Sequence, residues 1–172
     1  MRINRIVRTV AAVSVATGVL AALNTSLASA ATASASVTVN ATVSNNCSIS
    51  TSALAFGSYD PVTANASSNL DGTGRVTVAC TKGATATVGL GTGSNASGST
   101  RRMSDGGSNY LSYELYQDSG RATVWNGGSG ALTLTAAPSK TARDYTVYGR
   151  ISSNQDVPAG SYADTVVATV NF

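Results

Sequence analysis

The most regular stretch of the chain runs from Ala31 to Ser44. Ala31, Ala33, Ala35, Val37, Val39, Ala41 and Val43 hold the odd positions, and Thr32, Ser34, Ser36, Thr38, Asn40, Thr42 and Ser44 the even ones. Side chains of a strand alternate between faces, so this segment carries one wholly apolar face and one wholly polar face. Fully extended it reaches about 40 Å. The same period returns at the C-terminus. There Val166, Ala168, Val170 and Phe172 share a face, and Thr165, Thr169 and Asn171 lie opposite, with Val167 breaking the polar side. A strand that stops on an aromatic residue predicts a terminus set in the core.

Between these ends, short β-rich runs alternate with clusters of Gly, Asn, Ser and Asp. Strands are predicted over residues 33–44, 46–56, 74–81, 84–90, 110–117, 131–135, 144–151 and 162–172, with Leu111, Tyr113 and Leu115 on one face of the fifth. The Gly-, Ser- and Asn-rich segment 91–109 reads as a long flexible loop, and 126–130 as a shorter one. Nothing after residue 30 reads as helix. The pattern is that of an all-β sandwich or barrel in one domain.

The first 30 residues are of another kind. Arg2, Arg5 and Arg8 precede an apolar run from Val10 to Leu23, and Ala28-Ser29-Ala30 follows. This is the layout of a secretory signal peptide, with cleavage expected before Ala31. Export changes two other readings. The chain has 11 basic and 8 acidic residues, and three of its arginines leave with the signal, so the mature part is neutral. No basic footprint for nucleic acid remains. The two cysteines, Cys47 and Cys80, read as one disulfide in an oxidising compartment.

Catalytic chemistry finds no support. The chain contains no histidine, which removes the usual general base and the commonest metal ligand. The eight acids, Asp60, Asp71, Asp105, Glu114, Asp118, Asp144, Asp156 and Asp164, are spread singly. No cofactor or metal site is expected. Trp125, the only tryptophan, either stacks on a sugar or packs on the sandwich. Asp60-Pro61, Arg102-Met103 and Tyr148-Gly149-Arg150 read as loop anchors and strand-end packing. Asn40, Asn65 and Asn95 head N-x-S/T triplets, which are glycosylation acceptors only in a secretory pathway that uses them.

The destination of residues 31–44 stays open on pattern alone. They fold back as an edge strand of their own domain through a hairpin at Asn45-Asn46, or they dock elsewhere by β-augmentation.

A set of segments spread through the mature chain bears on that choice: VTVNATVSNNC (37–47), FGSYDP (56–61), GRVTVACT (74–81), RRM (101–103), YLSYELYQD (110–118), VYGRI (147–151) and GSYADTVVATVNF (160–172). In this order, with a signal peptide and two cysteines, the chain resembles the spore coat protein U domain, the subunit domain of archaic chaperone–usher pili. The resemblance implies an incomplete immunoglobulin-like β-sandwich that lacks its final strand and is completed by a donor strand. Residues 1–30 are then a signal peptide, 31–45 a donor strand and 46–172 the pilin-type sandwich. Val37, Val39, Ala41 and Val43 become the donor side chains. Phe56, Val166, Ala168, Val170 and Phe172 become the acceptor groove, and the C-terminal strand becomes the chaperone's contact. The implied partners are neighbouring copies, a periplasmic chaperone and an outer-membrane usher. The implied place is the cell surface, where fibres support adhesion and biofilm. A coat protein of the same fold and a monomeric secreted carbohydrate-binding sandwich are the alternatives.

Overall fold

β-branched and aromatic residues suit a pleated, half-buried surface, and the alternating runs of this chain are rich in both. In the computed structural model, which describes residues 29–172, they form β1 (Cys47–Ser52), β2 (Leu70–Cys80), β3 (Ala86–Leu90), β4 (Arg101–Ser104), β5 (Tyr110–Tyr116), β6 (Leu132–Leu134), β7 (Arg143–Ile151) and β8 (Ala168–Asn171). All but two residues of the expected signal peptide lie outside the described residues. The strands make two antiparallel sheets, one in the order β1-β2-β7-β5-β4 and one in the order β6-β3-β8. Among the described residues the only helix is the single 3-10 turn Gly128–Gly130.

Alternation decides which side chains are buried. Val76 and Val78 of β2, Leu111 and Leu115 of β5 and Val147 and Ile151 of β7 turn inward from the larger sheet. They meet Val88 and Leu90 of β3 across the sandwich. Trp125 is wholly buried, and its indole N–H donates to the Val88 carbonyl at 2.8 Å. It is therefore a core residue with its one polar group satisfied, not a sugar platform.

Cys47 and Cys80 stand directly opposite in the β1–β2 register and are joined by the expected disulfide. The bond closes a sequence separation of 33, worth about 3–4 kcal/mol in the chain-entropy account. On the outer face of the large sheet, Arg150 makes a two-pronged pair with Asp71 at 2.8 and 3.0 Å, and Arg121 joins it at 3.2 Å.

Four expectations need correction. Residues 91–109 are not one flexible loop. They contain β4, and Arg101 within it is buried, donating to the carbonyls of Gly91, Leu90 and Trp125 at 2.9, 3.1 and 2.8 Å and pairing with Glu114. Arg-Arg-Met-Ser has no apolar alternation. Its strand is made by pairing with β5 and by this guanidinium, which ties the ends of both sheets together. The C-terminal strand is regular only over Ala168–Asn171, and the predicted 46–56 strand ends at Ser52. Residues 33–44 form no strand. Every residue from 29 to 46 is exposed, and residues 33–44 pair with no strand edge among the described residues.

Candidate functional site

β1 and β8 are edge strands of opposite sheets. Each is hydrogen-bonded along one side only, to β2 and to β3. Between the end of β1 and the start of β8, and between the irregular segments that continue them, the sandwich is open. A groove of about 1210 Å³ runs there, walled by residues 51–59 on one side and 156–168 on the other. Its floor is the core itself: Val76, Leu90, Leu111, Leu115, Val147 and Ile151.

The walls differ in construction. On the C-terminal side, Ala163 exchanges two backbone bonds with Ser104, Thr165 accepts from Ser94, and Val167 accepts from Gly91. Backbone groups alternate sides along an extended chain, so those of Asp164 and Val166 turn the other way. They have no backbone partner among the described residues. On the β1 side, Leu54 and Phe56 reach across onto a patch of glycines. A Cβ placed on Gly149 would lie 2.7 Å from Phe56 and 2.8 Å from Leu54, and one on Gly74 would lie 2.9 Å from Leu54. Gly72 stands opposite Gly149 in the β2–β7 register, so both strands contribute to this cradle.

The lining also carries polar residues, among them Arg75, Asp156 and Asp164, and one of these is tied to the floor. Tyr113 donates its hydroxyl to the Asp164 carboxylate at 2.7 Å, and Asp164 also accepts from the backbone and side-chain amides of Asn95 at 3.1 and 3.2 Å. Burial, and then this bond, hold the Tyr113 phenol well above its ordinary range, so it stays a donor.

The expected groove residues fall unevenly. Phe56, Val166 and Ala168 line the groove. Val170 packs on the core below it. Phe172 does not sit in the core: it lies past the last ladder pair, Thr87 with Asn171, and is 57% exposed. Val37, Val39 and Val43 are 82–86% exposed, and Ala41 is exposed as well. Leu54, Tyr113 and Asp164 were not anticipated as groove residues. The signal for Asp164 was its parity, since it falls on the inward positions shared by Val166 and Ala168 yet carries a charge.

Fold and groove together define an immunoglobulin-like all-β sandwich with an open seam between its sheets. Comparison with known proteins agrees. The family profile of the Spore Coat Protein U domain matches residues 33–169, and the chain belongs to that family. It is 42% identical to Protein U of Myxococcus xanthus over 182 aligned residues, covering 98% of this chain and 99% of that one. Its fold is similar to a chain of the crystallised chaperone–tip adhesion subunit pre-assembly complex from archaic chaperone–usher Csu pili of Acinetobacter baumannii. The TM-score there is 0.56 at 24% identity, over 76% of this chain and 41% of that one.

Proposed function

We propose that this protein is a structural subunit of a secreted surface fibre, assembled by the chaperone–usher route through donor-strand exchange. The observation that carries the reading is the groove between two edge strands of opposite sheets, in a chain whose own N-terminal segment has a strand pattern and no strand partner. An edge strand presents a row of free N–H and C=O groups, and an incoming strand binds through them while alternate side chains fill pockets. The donor segment is 31–45 and its inserted side chains are Val37, Val39, Ala41 and Val43. Burying three valines and one alanine is worth roughly 5–9 kcal/mol as an upper figure.

In this reading a periplasmic chaperone fills the groove first, against the C-terminal strand, and an outer-membrane usher exchanges that strand for the next subunit's donor. The chaperone-bound fold neighbour supports the first step. Fibres at the cell surface then support adhesion and biofilm. A coat protein of the same fold is the second reading, favoured by the near full-length identity to Protein U. The test is a non-boiled SDS gel of surface-sheared protein beside a deletion of residues 31–44. A ladder of resistant multimers that the deletion abolishes supports exchange. A ladder that survives the deletion ends the donor assignment, and a monomer band in both turns the reading to the coat protein.

A further inference from the structure

Donor and groove belong to the same chain, so any donor segment has a competing acceptor at very high effective concentration: its own groove. Something must disfavour that closure. Parity removes one route. A two-residue turn at Asn45-Asn46 would pair Val43 with Ser48 and Ala41 with Ser50, whose side chains are exposed while Cys47 and Ile49 turn inward. The apolar face of the segment would then point to solvent. A three-residue turn over Ser44, Asn45 and Asn46 has the right parity, because it pairs Val43 with Cys47 and Ala41 with Ile49. Closure in the useful register therefore depends on those three residues turning.

They are held in another course. The Thr81 backbone N–H donates to the Asn46 carbonyl at 2.9 Å, which carries the β1–β2 ladder one residue past the disulfide. The Thr81 hydroxyl accepts from the Asn46 N–H at 3.1 Å and lies 3.3 Å from the carbonyl oxygens of both Ser44 and Asn46. The three-residue hairpin loop needs a left-handed residue at its end. Among the described residues the only non-glycine positions with positive φ are Arg121 and Asn154.

We infer that Thr81 is a positioning residue that clasps Ser44–Asn46 against the hairpin turn and so commits the donor segment to a second copy of the chain rather than to its own groove. The inference rests on the donor-strand reading and adds to it the choice between closure and polymer. The side-chain hydroxyl is the part a substitution can remove cleanly: Thr81→Val keeps the shape and the backbone bond, and Thr81→Ser keeps the hydroxyl. Losing one or two net hydrogen bonds from the extended course shifts the balance toward closure by about tenfold.

The experiment compares exported wild type, T81V and T81S on non-boiled SDS gels, with hydrogen exchange of residues 31–44 in the monomer fraction. Expected is a larger monomer fraction in T81V, with 31–44 protected in that monomer. Wild type and T81S should share a ladder and a freely exchanging segment. An equal ladder in all three, or a T81V monomer whose 31–44 amides exchange as fast as in wild type, overturns the role of Thr81. Absence of any ladder in wild type, or its survival in the 31–44 deletion, is a failure of the donor reading instead.

Discussion

The glycine cradle under Leu54 and Phe56 makes a quantitative prediction for Gly149→Ala. Gly149 lies within β7 and has no positive φ, so an alanine there is free of backbone strain. Taken alone the substitution would stabilise by about 0.5–1 kcal/mol, since glycine loses more freedom on folding. The added methyl, however, arrives 2.7 Å from the Phe56 ring and 2.8 Å from Leu54 at once. Both side chains must move, and overpacking of this kind costs about 1–3 kcal/mol. At the centre of both ranges the clash outweighs the entropy, giving a net loss of roughly 1 kcal/mol. Trp125, single and fully buried, reports the transition, so a urea titration followed by its fluorescence is the assay. The midpoint should fall on the order of 0.5–1 M. The diagnostic part is the cycle with Leu54→Ala: truncating Leu54 should cost less in the Gly149→Ala background than in wild type, because the methyl then has room. A neutral or stabilising Gly149→Ala, or additive effects in the cycle, would refute the packing account of this wall.

Arg101→Met should lower stability by about 3–5 kcal/mol, because it strands the Glu114 carboxylate and leaves three carbonyls without their donor. Arg101→Lys should recover only part of that in the same urea titration, since its three donors radiate from one nitrogen and cannot reproduce the spread of the guanidinium's Nε and two terminal nitrogens over these acceptors. For Asp71, the Arg150 hydrogen bonds, opposed by burial and helped by the charges of Arg121 and Arg150, hold the carboxyl below its ordinary 3.8. A depressed folded value gives stability that is present above the unfolded value and is lost as pH falls through the folded one. The midpoint gap between wild type and Asp71→Asn should therefore be flat from neutrality down to about pH 5 and close below about pH 4. A gap that widens on acidification would reverse the assignment.

Much of the fold was legible because alternation and turn residues act locally. β2, β3, β5 and β7 were found within a few residues of their bounds, and the cysteine pair followed from the expected export and even count. The failures share one cause. β4, the Arg101 clasp and the Leu54–Phe56 cradle are set by partners far along the chain, and their local sequence carries no period to betray them. Phe172 misled for the opposite reason. Its parity fits the inward face, but the ladder ends at Asn171, and parity constrains a side chain only while pairing holds the strand. The exposed 31–44 segment is a third case, in which the pattern was clear but no strand edge among the described residues pairs with it.

If the groove takes a donor strand, as proposed, the open seam also makes stability a function of concentration. A groove whose floor is the hydrophobic core is a binding site that the native state has and the unfolded chain lacks. Whatever strand occupies it raises the unfolding free energy by RT ln(1 + [L]/Kd), so about 4 kcal/mol follows at a thousandfold excess over Kd. A single melting temperature is then not a constant of this polypeptide. It would rise with the amount of strand available to the groove, and the chain alone would sit at the bottom of that curve.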